Sequence, residues 1–156
     1  MTSAGAADRR SGRPPRVRNR NGEPVASRYV VREQDAQPYH PANHTGTINR
    51  RLIGRTTVGA AQMEMLIGVI ERNAGALPHA HPGIEQGGYV LAGRAVVEIG
   101  EGADAEIAEI GPGDAFFFPA DVMHKLDVIG DEPFRVLVMY SPPYEEAPER
   151  AVRKSR

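Results

Sequence analysis

Two histidines one residue apart, His79 and His81, open the stretch HAHPGIEQGGYVLAG at residues 79–93. In an extended strand, side chains at i and i+2 point to the same face. Two imidazoles so placed can grip one ion, and imidazole is a good ligand for Zn, Cu, Fe and Ni. A metal site needs about four protein donors, so a third histidine must come from elsewhere. His124 is the candidate; it follows Gly113-Asp114, the apolar run Ala115-Phe116-Phe117-Phe118, and then Pro119-Ala120-Asp121-Val122-Met123. The fourth donor is Glu85 or Gln86. These two are adjacent, so on a strand they face opposite sides and only one can join the histidines.

The elements that must carry these residues read as strands. From Thr47 onward, short runs rich in Val, Ile, Phe and Met alternate with turns containing Gly and Pro. The pattern predicts strands near 47–53, 62–71, 77–81, 86–92, 94–100, 105–110, 115–118, 122–129 and 134–140. Residues 60–70 come nearest to a helical pattern, but β-branched residues with Gly59 and Gly68 favour a strand there. Many short strands at close spacing predict a sandwich or barrel. Gly111-Pro112-Gly113-Asp114 is the strongest turn signal. In the approach at 36–46, Pro38 and Pro41 exclude helix, and His40 and His44 sit in an irregular segment.

At 156 residues the chain suits one domain with tails. Residues 1–28 carry seven Arg against Asp8 and Glu23, a net of +5, which leaves −6 of the total −1 for residues 29–156. That composition predicts a disordered basic tail over 1–28, a barrel domain over 29–142 and a polar C-terminal tail over 143–156. The chain has no Cys, which excludes disulfides, thiol catalysis and Cys-zinc sites. No apolar run approaches the ~20 residues of a membrane helix, and no secretory signal is read, so a cytoplasmic location is expected. No nucleic-acid-binding motif accompanies the basic tail, so nucleic acid is not an expected partner.

With these residues in view, the chain resembles the cupin superfamily of small metal-binding barrels. The first motif of that family is Gly, His-x-His, three or four residues, Glu, six residues, Gly. Here the pattern reads His79-x-His81, four residues, Gln86, six residues, Gly93, with the leading Gly two residues late at Gly75. The second motif is Gly, five residues, Pro-x-Gly, two residues, His, three residues, Asn. Here it reads Gly113, five residues, Pro119-x-Asp121, two residues, His124, and then Val128. The resemblance covers residues 47–140 and implies an all-β double-stranded β-helix, a jelly-roll barrel. It also implies a metal held by His79, His81, Gln86 and His124. Counting back from Gly93 selects Gln86, with Gly88 and Val90 inward and Tyr89 and Leu91 outward; counting three residues on from His81 selects Glu85.

A neutral amide in place of the family's carboxylate leaves a divalent site near +2, a harder Lewis acid toward a carbonyl, carboxylate or enediol oxygen. The expected cofactor is one divalent transition metal, Mn, Fe, Ni, Zn or Cu. The expected activity is Lewis-acid isomerisation, ring opening or lyase chemistry on a small keto, hydroxy or sugar acid. A Fe(II)- or Cu-dependent oxygenase or dioxygenase is the alternative, and a non-catalytic small-molecule sensor the third reading. Glu64, Glu85, His44 and Tyr140 are the candidates for acid–base work, while Arg51 and Arg94 are candidate substrate contacts. On the strand 62–71, either the face of Met63, Met65, Ile67 and Val69 or that of Glu64, Leu66 and Ile70 lines the interior. Barrels of this kind resemble one another in forming homodimers, and an edge strand near 47–53 is the expected interface.

Overall fold

Short β-branched and aromatic runs broken by Gly and Pro become strands throughout the computed structural model, which describes residues 17–41, 44–75, 77–144 and 152–153. In chain order these are β1 (Pro38–Tyr39), β2 (Thr45–Ile53), β3 (Glu64–Gly75), β4 (His79–Ala80), β5 (Glu85–Ala92) and β6 (Arg94–Ile99). They continue with β7 (Glu106–Ile110), β8 (Ala115–Phe118), β9 (His124–Ile129), β10 (Phe134–Ser141) and β11 (Val152–Arg153). The helical content of the described residues is two single 3₁₀ turns, Glu33–Asp35 and Gly102–Asp104. The segment near 60–70 is accordingly not a helix: residues 61–62 form a bend and the strand runs from Glu64.

The strands form two antiparallel sheets, one ordered β1-β2-β3-β10-β5-β8 and the other β11-β4-β9-β6-β7. This is the double-stranded β-barrel expected from the sequence. Successive residues alternate between faces, so β6 buries Ala95 and Val97 while Arg94 and Glu98 stay exposed. The inward residues of both sheets meet in one core of Leu66, Val90, Ala95, Val97, Ile110, Phe118, Val128, Phe134, Val136 and Val138. Val128, where the family motif has Asn, is therefore a core residue opposite Ala95.

Two glycines are required by close approach. The Phe116 ring occupies the space of a Gly88 side chain, with Cζ 2.1 Å from where a Cβ would stand. At Gly93, which joins β5 to β6, φ is +75° and a Cβ would lie 2.6 Å from the Pro133 carbonyl. Only glycine combines that left-handed backbone with that clearance.

Most predicted strands match within two residues, and the deviations have local causes. The strand expected from 122 begins at His124 because residues 119–122 form a turn in which Asp121 has φ +66°. The interface expected near 47–53 is not an open edge along its length. β2 pairs with β3 on one side, and β1 covers Asn49 and Arg50 on the other. Of the predicted basic tail, residues 1–16 lie outside the described residues, while Arg18 and Pro24 pair in an isolated bridge around a turn. Pro143 and Tyr144, within the predicted polar tail, are buried.

Candidate metal centre

The turn that follows His81 brings the first motif back on itself. Ile84 N–H donates to the His81 carbonyl at 3.2 Å, closing His81-Pro82-Gly83-Ile84. Pro82 presets the first central position, and Gly83, at φ +66°, takes the left-handed second position that a type II turn demands. The reversal lays β5 beside β10 and points Gln86 toward His81, with Gln86 Oε1 3.1 Å from His81 Nε2. Glu85, one residue earlier, faces outward and is exposed. Gly88 and Val90 are buried on the inner side, and Tyr89 and Leu91 are exposed on the outer.

The second motif arrives from the other sheet by the same device. Val122 N–H donates to the Pro119 carbonyl at 3.3 Å, and Asp121 occupies the left-handed position where the family motif has Gly. Asp tolerates that region better than most L-residues. Its carboxylate accepts from Gly83 N–H at 3.1 Å, and its own N–H donates to the His81 carbonyl at 3.2 Å. Asp121 thus ties the two motif turns together. The strand leaving this turn begins with His124, directly opposite His79 in the β4–β9 pairing.

One potential ligand atom each from His79, His81 and His124 lies within 4.8 Å of the other two. His81 and His124 are buried and His79 half-buried. His79 Nδ1 lies 2.8 Å from the Leu77 carbonyl and His124 Nδ1 2.9 Å from the Val122 carbonyl. A carbonyl only accepts, so both Nδ1 atoms carry the proton and each Nε2 holds a lone pair facing the cluster. Backbone orientation of this kind is how metal-binding imidazoles are held.

Two buried ring nitrogens, His124 Nε2 and His81 Nδ1, have no hydrogen-bond partner among the described residues. Buried polar atoms left unmatched are costly, and a cation would supply the partner that His124 Nε2 lacks among the described residues. His81 Nε2 makes a 3.1 Å hydrogen bond to Gln86 Oε1, and an ion taken up at that nitrogen would replace this bond while the amide oxygen, itself able to coordinate, stays within reach. The residues present therefore fit a transition metal.

Electrostatics point the same way. Burial, then repulsion from His79 and His124, lowers the His81 pKa to about 3. Burial, then repulsion from His79, lowers that of His124 to about 4. Both rings are neutral at physiological pH, the state a metal requires. Phe118 stacks on His124 at 4.2 Å between centroids and an angle of 12°, fixing the ring.

The cluster opens into a cavity that leaves about 100 Å³ for the centres of water-sized molecules. His44 and Tyr140 line it, with Tyr140 5.6 Å and Tyr144 4.5 Å from His81 between ring centroids. The other sequence candidates do not. Glu64 is buried at 1% exposure and paired with Arg51, Nε to Oε1 2.6 Å, outside the cavity wall. Arg94 makes a surface pair with Glu109. The interior face of β3 is that of Leu66 and Ile70, with Gly68 between them. Phe116 and Phe118 line the cavity while Phe117 is exposed.

Sequence reasoning missed Thr47, Asn49 and Tyr144. The period of two along β2 does carry a signal for the first pair, since Thr47 and Asn49 are buried and Ile48 between them is not. Tyr144 follows Pro142-Pro143, beyond any periodic pattern, and only the path of the chain reveals it.

Comparison with known proteins agrees with the architecture. Residues 66–140 match the family model of the cupin domain. In sequence, the chain is 28% identical over 108 residues to the polyketide synthase CurC of Streptomyces cyaneus, covering 69% of this chain and 68% of that one. In structure, it is similar to KdgF from a Halomonas species with a TM-score of 0.62 at 23% identity, covering 74% of this chain and 96% of that one. The formate complex of Lactobacillus farciminis oxalate decarboxylase gives a TM-score of 0.65 at 24% identity. That alignment covers 82% of this chain and 37% of the decarboxylase, so the present chain spans little more than a third of that protein.

Proposed function

This chain belongs to the cupin superfamily, and we propose that it is an enzyme using one divalent transition metal as a Lewis acid on a small oxygenated molecule. His79, His81, His124 and Gln86 hold the ion in this reading. The observation that carries it is the buried, unpartnered His124 Nε2, clustered with His79 and His81 on the wall of a cavity with room for an organic molecule. A hydrated structural ion would not need that space.

When bound, the metal supplies an electrophile that polarises a carbonyl or carboxylate oxygen and stabilises negative charge on it. The chain's own residues do the rest. Gln86 contributes a neutral oxygen, so the protein does not offset the ion's charge. Phe118, Tyr140 and Tyr144 exclude water from the buried side of His81 and His124. Tyr140 and His44 are the cavity-lining candidates that can move a proton, at Oη and at a ring nitrogen respectively. Glu85 points away and Glu64 serves Arg51, which makes neither the proton carrier. Isomerisation, ring opening and lyase chemistry all need this combination of electrophile and proton carrier. The names of the relatives support substrates of that kind, since a polyketide and oxalate are both built on carbonyl or carboxylate groups.

The test is elemental analysis of the protein as purified and after reconstitution. His81→Ala is expected to lower bound metal at least tenfold, Gln86→Ala to weaken it, and Glu85→Ala to leave it unchanged. Metal content unaltered in His81→Ala would refute the site. A cytoplasmic homodimer completes the proposal. Among the described residues no helix is long and apolar enough to cross a membrane. Tyr89, Leu91, Phe117 and Met139 expose apolar surface on the outer side of β5, β8 and β10, which supports self-association.

A further inference from the structure

The cavity has no Asp, Glu, Lys or Arg among the described residues that line it. Strand pairing arranges its walls in layers leading away from the histidines. Gln86 lies opposite Tyr140 and Phe118. In the next layer, Gly88 lies opposite Val138 and Phe116, and Leu66 opposite Val138. In the third, Gly68 lies between Val136 and Asn49. Layers two residues apart are ~7 Å apart along the strand. The wall therefore passes from the layer of Gln86 through an aliphatic and aromatic layer to the Asn49 amide, with the Thr47 hydroxyl and the His44 ring also among the lining groups.

A substrate anchored at the histidines must lay its remaining atoms against that wall. A second carboxylate or a phosphate there would be buried without a cation, which is strongly unfavourable. A polyol would need a partner for each hydroxyl. Beyond Gln86 the sheet offers the Asn49 amide and the Thr47 hydroxyl, and Thr47 Oγ1 already donates to the Thr45 carbonyl at 3.0 Å. A planar aryl group or an alkyl chain, by contrast, gains from leaving water and from contact with Phe116, Leu66 and Val138.

We infer that the substrate carries all its charge at one oxygen-bearing end, set at the histidines, and has an uncharged apolar body of the aryl or alkyl ketone type. Among the expected keto, hydroxy and sugar acids this disfavours the last, and its head-group half rests on the metal reading above. The body is selected by the wall alone.

Calorimetric titration of the zinc-loaded and the EDTA-treated protein separates the two halves, with benzoylacetone, acetylacetone and glucuronate as probes. Benzoylacetone is expected to bind at least about tenfold tighter than acetylacetone in both forms, and glucuronate weaker than either. Equal affinity for the two diketones, tightest binding of glucuronate, or no detectable benzoylacetone binding in either form overturns the inference. If zinc strengthens none of the three, the metal reading fails, while the diketone ratio in the EDTA-treated protein still decides the apolar body. Gly68→Ala gives a second measure. Its Cβ would stand 3.2 Å from Asn49 Oδ1 and 3.4 Å from Val136 Cγ1, a fit that needs only small shifts. The variant is expected to weaken benzoylacetone several-fold with metal content unchanged, and acetylacetone little. Equal weakening of both diketones places the phenyl ring elsewhere and counts against the inference.

Discussion

Asp121 offers the cleanest test of how the two motif turns are joined. It sits at φ +66° and accepts a hydrogen bond from Gly83 N–H at 3.1 Å. The left-handed backbone costs an L-residue roughly 1–2 kcal/mol relative to glycine, with Asp toward the lower end. The hydrogen bond is exposed and contributes about 1 kcal/mol. Asp121→Ala removes the bond and keeps the backbone cost, so it should destabilise the metal-free protein by about 1–2 kcal/mol. Asp121→Gly also loses the bond but relieves the backbone, so it should stay within about 0.5 kcal/mol of the parent. Asp121→Asn keeps both an acceptor and left-handed tolerance and should be nearly neutral. Guanidinium denaturation at constant m-value measures the order, and the Ala–Gly gap of about 1 kcal/mol corresponds to roughly 4 °C in Tm. If Gly proves as destabilising as Ala, the strain argument is wrong. If Ala is neutral, the cross-link between the turns carries no energy.

Stability of the metal-free protein should fall with acidity below pH 6.5. The unfolded His81 and His124 take up protons there, while the folded rings resist until about 3 and about 4. The unfolded state then binds more protons, so stability rises with pH across that window and levels off above it. At pH 5 each ring accounts for a loss of about 2 kcal/mol relative to pH 7. Denaturation midpoints at pH 5, 6 and 7 check this, and a flat profile argues against neutral buried rings. Lewis-acid chemistry should proceed with Zn or Ni under anaerobic conditions, and oxygen uptake restricted to the iron-loaded protein would favour the oxygenase alternative instead. Sedimentation velocity should show a dimer that Phe117→Arg shifts toward monomer without altering the far-UV circular dichroism; a monomeric parent chain removes that assembly.

Much of the architecture is visible in the one-dimensional pattern because a strand's period of two is local. The runs at 86–92, 94–100 and 134–140 show their alternation without knowledge of their neighbours, and each forms a strand. The same logic favours Gln86 over Glu85, since Gly88 and Val90 continue its face and both are buried. Alternation says which residues share a face, not which face is covered. On β3 it separates Leu66 from Met65, but the interior side is set by Val138 and Val136 of β10, more than sixty residues away in sequence.

The histidine spacing in HAHPGIEQGGYVLAG and the later His124 needed no coordinates, because ligand type and strand period are properties of the residues themselves. The convergence of these groups is a tertiary fact. His79 meets His124 through a pairing between strands 45 residues apart, held by two turns that Asp121 ties together. The burial of Tyr144 against His81 and the charge-free wall behind Gln86 likewise exist only once both sheets are packed. Long-range packing decides what each inward side chain faces, and no local pattern encodes it.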